Sequence, residues 1–470
     1  MGLVDERKYY GEWWEPSQPD KKQSGVLTIA SDGDTQLELV GGFDLTLRTP
    51  IGTGGFAVHA GSRELPVLHG TCERTDITLL NCLSVFSRGA FFDGGPSFQR
   101  LLANRAVVGF HLENQVDETF RGATIRLENF TTWVSLPTVA HTLGFKDDVS
   151  EAQVRLVDPL SVTVDGWEYQ ARPSLHGFSM KRHRESDSVV GDATTELRIV
   201  PPEPADLTSF DRIVTEFTDL LTLGTGRPCG LISMVLDLPE DDVTPLGDGR
   251  DYRRPKTAEV VGQRIHTADA TAPAIEPHRL LFSCADLPFE LTVPAWLALR
   301  RMAPSACNIL FGLKYARPSY TEMRLLSLAI AAESLHHSLF GDVTDMPQAH
   351  FNLIRDAMLS ALTSEDDRKW AKEKFRNQPS FRERAKALAA VPAPDAVAHV
   401  VPDIDRWASD LLQARNGLAH AAGDGLGSGV FTLAERTWGM LSLVLMARVG
   451  LSPEVQLRAA QYVLRVFDQD

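Results

Sequence analysis

The stretch RNGLAHAAGDG, residues 415–425, is the part of the chain whose residue types are best suited to chemistry. It places Arg415, Asn416 and His420 within six residues. A histidine titrates near neutral pH, so it can take the proton from a ribose 2′-hydroxyl or give one to a departing 5′-oxygen. An arginine can hold the phosphate and stabilise the charge on its equatorial oxygens. These groups suit RNA cleavage without a metal ion, with Asn416 orienting the histidine or the phosphate.

A helical setting determines how these side chains are arranged. At about 100° per residue, Asn416 and His420 share one face, whereas Arg415 lies roughly 140° from His420. Gly423 is predicted to end the helix, which places His420 in the last turn, where the helix dipole favours the imidazolium. A site composed across two copies of the chain is therefore favoured over one built within a single helix. Spacing alone also fits an exposed helix end without chemistry.

A second arrangement is ESLHH, residues 333–337, which puts Glu333 and His336 on one helical face. A di-iron bundle uses such an i, i+3 pair, but it needs a second pair and two further glutamates. The helical region has no second copy, so neither a metal nor a cofactor is predicted. Glu333 is expected to be a buried or half-buried polar group that faces other helices. A metal-dependent enzyme using Glu333 and His336 is the alternative.

Three further motifs carry no predicted chemistry. IGTGGF (51–56) lacks the following helix that a phosphate loop needs, so it is predicted to be a hairpin turn. Arginine-to-histidine spacings at 63–69 and 105–111 lie in strand-like surroundings. The five cysteines form no C-x-x-C pair, which predicts neither zinc nor disulfides and favours a reducing cytoplasm.

The pattern of elements predicts an α+β protein with several domains. Short alternating or β-branched runs between turn residues, among them a predicted strand over 123–136, fill the first 200 positions and favour a sandwich or barrel-like region. Helical periodicity begins near 204, in a helix predicted to stop at Gly224, and takes over after Pro294, where Gly341 is predicted to end the helix over 319–341. The predicted domains are a β-rich part (1–203), a mixed connecting region (204–294) and an all-α bundle (295–470).

Charge is divided unevenly along the chain. The net charge is −15, which argues against nucleic-acid binding by the whole surface. Residues 293–470 hold 20 Lys/Arg and 19 Asp/Glu, so the excess acid lies before them. Nucleic-acid contacts are therefore expected in the C-terminal part. No membrane span is predicted, because the longest apolar run (438–451) is short and contains Arg448.

One basic segment stands out in that C-terminal part. Residues 368–386 contain eight Lys/Arg and two Glu. Such a segment can guide an RNA backbone, although a solvated helix face has the same composition. The candidate RNA-binding residues are Lys369, Lys372, Arg376, Arg382 and Arg384.

Two groups of segments carry a resemblance to a known family. YTEMRLLSLAIAAESLHHSLFG (320–341), followed about 80 residues later by ARNGLAHAAG (414–423), resembles the HEPN domain of the ApeA type. Upstream, four segments resemble the ApeA N-terminal domain and occur in its order: GEWWEP (11–16), LELVGGFDLTL (37–47), AVVGFHLENQVDETFRGATIRLENFTTWV (106–134) and DLLTLGTGRP (219–228).

The resemblance implies a fold, a site and an activity. In that superfamily an Arg-polar-x-x-x-His motif is the ribonuclease site, completed at a homodimer interface, so Arg415, Asn416 and His420 take the catalytic roles. Glu333, on the preceding core helix with His336, is expected to support the site. The resemblance further implies a cytoplasmic abortive-infection ribonuclease acting on host RNA, with tRNA as a candidate, in a homodimer or higher even oligomer. The β-rich part would sense a phage protein or restrain the nuclease.

A binding protein remains the alternative to an enzyme. It would keep the HEPN fold without nuclease activity, and its β-rich part would recognise a ligand or protein. Toxicity on overexpression that disappears with Arg415→Ala would distinguish the enzyme from the binding protein.

Overall fold

A computed structural model gives the fold of the chain. It describes residues 6–51, 55–62, 64–89, 96–144, 149–182, 184–185, 187–246, 250–262, 275–316, 320–419 and 429–465. Two compact units are present: Met1–Leu221 with Pro228–Glu276, and Thr222–Arg227 with Pro277–Asp470. The first is β-rich and the second helical, so the predicted α+β class and its order along the chain are confirmed. The region 204–294, predicted to connect the two, contributes residues to both units.

The described part of the β-rich unit contains sixteen strands and two helices. The strands are β1 (Arg7–Trp14), β2 (Gln23–Ile29), β3 (Thr35–Val40), β4 (Thr46–Ile51), β5 (Gly55–Ser62), β6 (Leu65–Cys72), β7 (Thr75–Gly89), β8 (Pro96–Val108), β9 (Gly122–Leu127), β10 (Val139–Gly144), β11 (Val149–Val154), β12 (Leu160–Val164), β13 (Trp167–Arg182), β14 (Asp187–Val200), β15 (Leu231–Leu246) and β16 (Arg250–Gly262). The helices are α1 (Phe130–Val134) and α2 (Leu207–Thr225), of which the last four residues belong to the helical unit.

Six of these strands close into an antiparallel barrel. The pairing order is β8–β3–β2–β1–β6–β7, and β7 also pairs with β8. Strand β3 (TQLELV) alternates between the two sides of the barrel wall: Thr35, Leu37 and Leu39 are buried, while the residue that follows each of them is not. Trp13 fills the interior next to Gly70, where an added Cβ would lie 2.3 Å from the indole ring. The closed pairing settles the choice between sandwich and barrel for this region.

The remaining strands of the main sheet extend it away from the barrel, in the order β8–β16–β15–β9–β14–β13–β12. Helix α2 packs on this part through a stripe of buried residues with helical spacing, Phe210, Ile213 and Phe217. The ring of Phe217 lies 5.7 Å from that of Tyr169 in β13. The stripe therefore attaches the helix to the sheet.

Three local predictions can be compared with these elements. The hairpin predicted around IGTGGF is confirmed, since β4 pairs with β5 on either side of residues 52–54, which lie outside the described residues. The run 123–136 was predicted as one strand, but it breaks at Asn129, whose φ of 60° turns the chain into α1. Helix α2 was predicted to stop at Gly224; it continues to Thr225 because the left-handed turn comes at Gly226, with a φ of 69°.

The helical unit contains ten α-helices among its described residues. They are α3 (Phe289–Met302), α4 (Pro304–Tyr315), α5 (Thr321–Phe340), α6 (Gln348–Ser360), α7 (Glu365–Lys374), α8 (Phe381–Ala389), α9 (Pro394–Val400), α10 (Ile404–Ala419), α11 (Gly429–Val449) and α12 (Pro453–Arg465). As predicted, Gly341 ends α5, with a φ of 69°.

Helix α11 is the core of this unit. By length and composition it is the one helix in the described part of the chain that could cross a membrane, but 72% of its most apolar stretch is buried in the unit. The indole nitrogen of Trp407 in α10 donates to the hydroxyl of Thr437 in α11 at 3.1 Å. This buried bond fixes α10 against the core.

Candidate active site

Helix α10 carries the first candidate catalytic residues, and its sequence determines how they are presented. Asp403 caps the helix, because its carboxylate accepts a hydrogen bond from the Arg406 amide at 2.8 Å. A buried stripe, Trp407, Ala408, Leu411 and Ala414, turns one face to the core. The following residue, Arg415, lies at the edge of that stripe.

Arg415 is held by two neighbouring helices. Its Nη2 donates to Oε2 of Glu333 in α5 at 2.9 Å, and its guanidinium carbon lies 5.4 Å from the centre of the Phe381 ring in α8. The side chains of Arg415 and Glu333 are 37% and 27% exposed. An ion pair and a cation–π contact at such half-exposed positions contribute about 1 kcal/mol each at most. The guanidinium is thus oriented, yet its carboxylate partner can be exchanged for a phosphate at little cost.

Of the other two candidate catalytic residues, Asn416 and His420, the structure describes only Asn416. Asn416 is exposed, on the outer face of α10. His420 follows the last residue of α10, Ala419, and lies outside the described residues, as does the rest of 420–428. The geometry between His420 and Arg415 therefore stays a prediction.

The two residues predicted to support the site have separate surroundings. Glu333 contacts Arg415, as expected of a half-buried polar group that faces another helix. His336, one turn further along α5, is buried with its ring 4.8 Å from that of Phe340. Burial lowers the pKa of His336, and the positive charge of Arg384 and the nearby His337 lower it further. Glu333 and His336 thus contact different groups, the Arg415 guanidinium and the Phe340 ring. The described residues contain no group of three or more His, Cys, Asp or Glu side chains placed to hold a metal ion.

The basic segment divides into exposed and engaged side chains. Lys369 and Lys372 on α7 and Arg376 after it are exposed and form no ion pair with a described residue. Arg382 pairs with Asp405 at 3.0 Å, and the Nε of Arg384 donates to the Pro379 carbonyl at 3.0 Å. The first three are the cations of this set most available to an RNA phosphate.

Two features near Arg415 were not predicted from the sequence. One is Phe381, which lies in the basic segment but contributes an aromatic surface to the arginine. The other is an exposed apolar face of α5, where Met323 and Ile330 are 56% and 46% exposed. Their spacing of seven residues puts both on the helix face whose edge carries Glu333. The seven-residue spacing is present in the sequence, but it fits a buried helix face as well as an exposed one.

A buried cluster of charges lies elsewhere in the helical unit. Arg324 of α5 forms an ion pair with Glu435 of α11, and the ammonium of Lys314 lies 3.8 Å from the centre of the Trp438 ring. Burial lowers the pKa of Lys314 to about 8, although the negative charge of Glu435 opposes the shift. The cluster ties α4, α5 and α11 together.

Two protein-family models match the chain. The model of ApeA N-terminal domain 1 matches residues 8–296, and the model of the Apea-like HEPN domain matches residues 326–454. The second match includes Glu333 and the whole 415–420 motif. No curated protein and no solved structure matches the chain.

Proposed function

The chain belongs to the ApeA-like HEPN family, and from that premise we propose that it is a metal-independent endoribonuclease of antiphage defence. Membership supports a nuclease-type antiphage role, since HEPN domains act on RNA and often dimerise. The observation that carries the ribonuclease proposal is the placement of Arg415, which is held between Glu333 and Phe381 at a half-exposed position.

The proposed reaction is an attack of the ribose 2′-oxygen on the adjacent phosphorus. His420 takes the 2′-hydroxyl proton, the bond between phosphorus and the 5′-oxygen breaks, and a protonated histidine supplies the proton to the departing oxygen. Arg415 leaves Glu333 to hold the phosphate and stabilises the charge on its equatorial oxygens. Asn416 orients the histidine or the phosphate. The products carry a 2′,3′-cyclic phosphate and a 5′-hydroxyl.

A second copy of the chain would supply the second histidine. The exposed pair Met323 and Ile330 on α5 adjoins the edge that carries Glu333, so a copy covering this face would lie beside Arg415. Burial of such large apolar side chains favours association by about 1–2 kcal/mol each. We therefore propose a homodimer, or a higher even oligomer, in which each site uses groups from two copies.

We propose the biological setting that membership of the family implies. The ribonuclease acts in the cytoplasm on host RNA, with tRNA as the candidate substrate. The β-rich unit restrains it until a phage protein is recognised.

Purified protein incubated with RNA tests the proposal. The expected result is cleavage that yields 5′-hydroxyl ends, persists in EDTA, and falls more than about 100-fold in Arg415→Ala and His420→Ala, since each removes a group acting in the transition state. Arg448→Ala, at an exposed position of α11, is the control and should cleave as the wild type does. Undiminished cleavage by His420→Ala would refute the site, and loss of cleavage in EDTA would refute the metal-free mechanism.

RNA sequencing of cells expressing the wild type or His420→Ala then identifies the substrate. New 5′-hydroxyl ends at defined tRNA positions, present only with the wild type, are expected. Ends confined to other RNAs would leave the ribonuclease standing and exclude tRNA as its target.

A further inference from the structure

A cleft runs along the helical unit beside the candidate active site. A cavity of about 170 Å³ opens beside His336 and Arg384, and a larger one of about 510 Å³ adjoins it, since both are lined by Asp342, Val343 and Gln378. The walls come from the end of α5, from α6 and from the segment 375–379 between α7 and α8. The larger cavity has the volume of a small-molecule site.

Hydrogen bonds of Asn377 connect two walls of this cleft. The buried amide of Asn377 donates to the Met346 carbonyl at 2.9 Å and to Oε1 of Gln348 at 3.1 Å. Its oxygen accepts from the Met346 amide at 3.2 Å. Three bonds from one side chain connect the segment 375–379 to the start of α6, so the two walls are fixed before any ligand arrives.

The lining of the cleft combines positive charge with aromatic surface. Arg355 is paired with Asp356 at 2.9 Å, so the positive charge of the lining comes from Arg376 and Arg384, beside the single carboxylate of the lining, Asp342. The carboxylate lies 3.6 Å from Nδ1 of His337 and is 87% exposed. Such a set suits phosphate groups, because arginine forks bind their oxygens in pairs.

The aromatic surface comes from two phenylalanines. Phe351 of α6 and Phe375 after α7 are both half-buried and line the larger cavity. Aromatic side chains beside a positively charged groove are the elements by which proteins bind single-stranded nucleic acid, since every base can stack on a ring.

Two helices connect the cleft to Arg415. On α5, Glu333 contacts Arg415, and His336 and His337 line the smaller cavity three and four residues later. On α8, Phe381 contacts Arg415, and Arg384 lines the same cavity three residues later. Three or four residues of helix rise about 5–6 Å, roughly the spacing between successive phosphates of a strand. The cleft thus begins about one nucleotide from the candidate catalytic arginine on both helices.

From this geometry we infer that the cleft binds the single-stranded RNA segment next to the cleaved phosphate, with a base against Phe351 or Phe375 and phosphates on Arg376 and Arg384. The inference rests on the proposed ribonuclease function and adds a substrate subsite to it.

Binding of an uncleavable RNA tests the subsite separately from catalysis. The probe is a fluorescent, fully 2′-O-methylated single strand of twelve nucleotides, in which the 2′-oxygen cannot attack. Anisotropy titrations at several salt concentrations are expected to show that Arg376→Ala weakens binding and lowers the salt slope by about 0.7, the value for one lost contact to a single-strand phosphate. Phe351→Ala should weaken binding about tenfold and Phe351→Tyr should restore it, because a ring is again present. Arg448→Ala is the matched control and should bind as the wild type does.

The possible outcomes separate the subsite from the proposed function. If the wild type binds the probe and cleaves natural RNA while Arg376→Ala and Phe351→Ala bind unchanged, the subsite is refuted and the ribonuclease stands. If the two variants bind weakly but the wild type cleaves nothing, the cleft is supported and the ribonuclease fails. A wild type that neither binds nor cleaves refutes both. Displacement of the probe by micromolar AMP or UMP would instead make the cleft a site for free nucleotides and refute the substrate subsite.

Discussion

Arg415 and Glu333, 82 positions apart in the sequence, are joined by a hydrogen bond of 2.9 Å between Nη2 and Oε2. The bond connects α10, which carries the candidate catalytic motif, with α5, which precedes it by five helices along the chain. Because both side chains are partly exposed, the pair adds little to stability. Its value is orientation of the guanidinium, which would otherwise sample many rotamers before RNA binds.

Removal of Glu333 should therefore impair cleavage more than it impairs folding. Glu333→Ala is expected to lower kcat/KM about tenfold while the free energy of unfolding changes by less than about 1 kcal/mol, the upper range for exposed ion pairs. Glu333→Gln keeps an acceptor for the arginine and should lie in between. Initial cleavage rates and denaturant unfolding measure the two effects. Glu322→Ala, at an exposed position in the first turn of α5, is the control, and full activity of Glu333→Ala would contradict a positioning role.

The exposed face of α5 should control assembly. Met323→Glu with Ile330→Glu places two like charges on each copy of the proposed interface, which is expected to convert the dimer to a monomer and abolish cleavage. Light scattering after size-exclusion chromatography measures the mass. Leu353→Glu on α6 is a control at a still more exposed position (71%) and should leave the mass and the activity unchanged. A doubly substituted protein that remains dimeric would show that copies meet elsewhere.

The buried charge cluster should respond strongly to loss of its anion. Glu435→Gln leaves the half-buried cations Arg324 and Lys314 without the carboxylate that compensates them. Breaking a buried pair in this way costs about 3 kcal/mol or more. Thermal and urea unfolding of the variant measure the change. Glu373→Gln, exposed on α7, should change stability by less than about 0.5 kcal/mol; equal effects of the two substitutions would argue against the cluster.

The β-rich unit should lose stability in mild acid through His69. This buried ring stacks on His111, 4.4 Å between centres, and its Nε2 lies 3.1 Å from the Leu112 carbonyl. Burial lowers the pKa of His69 below the ordinary 6.5, with the carbonyl opposing the shift and His111 adding to it.

The sign follows from proton binding. Between the lowered folded pKa and 6.5, the unfolded chain binds more protons at this residue than the folded chain does. The stability due to neutral His69 is therefore complete above pH 6.5 and declines as the pH falls through that window. Calorimetry between pH 7.5 and 5 should show a smaller decline for His69→Gln, which retains a donor for the carbonyl and does not titrate. His350→Gln, exposed on α6, should decline as the wild type does, and parallel curves for all three proteins would refute the assignment.

The local backbone conformation could be predicted from the sequence wherever a single residue determines it. Gly341 was predicted to end α5 and does so, because a glycine takes up positive φ without strain. The hairpin between β4 and β5 followed from the absence of a helical pattern after the glycine-rich stretch 51–56. Local prediction failed at Asn129, where a positive φ occurs at a residue that tolerates it but does not require it.

By itself, the sequence determined the order of a β-rich and a helical part, the amphipathic faces of the helices, and the candidate motif at 415–420. It could not determine which strands close the barrel, since the alternation of buried and exposed residues in β3 is compatible with many partners and the pairing of β3 with β8 is not local. Nor could it choose Glu333 and Phe381 as the residues that hold Arg415, because these contacts depend on how three helices pack. Local patterns fix the conformation and the buried face of a segment. Contacts between distant segments form only when those faces are buried against one another. Such contacts decided how Arg415 is oriented and where the cleft beside it opens.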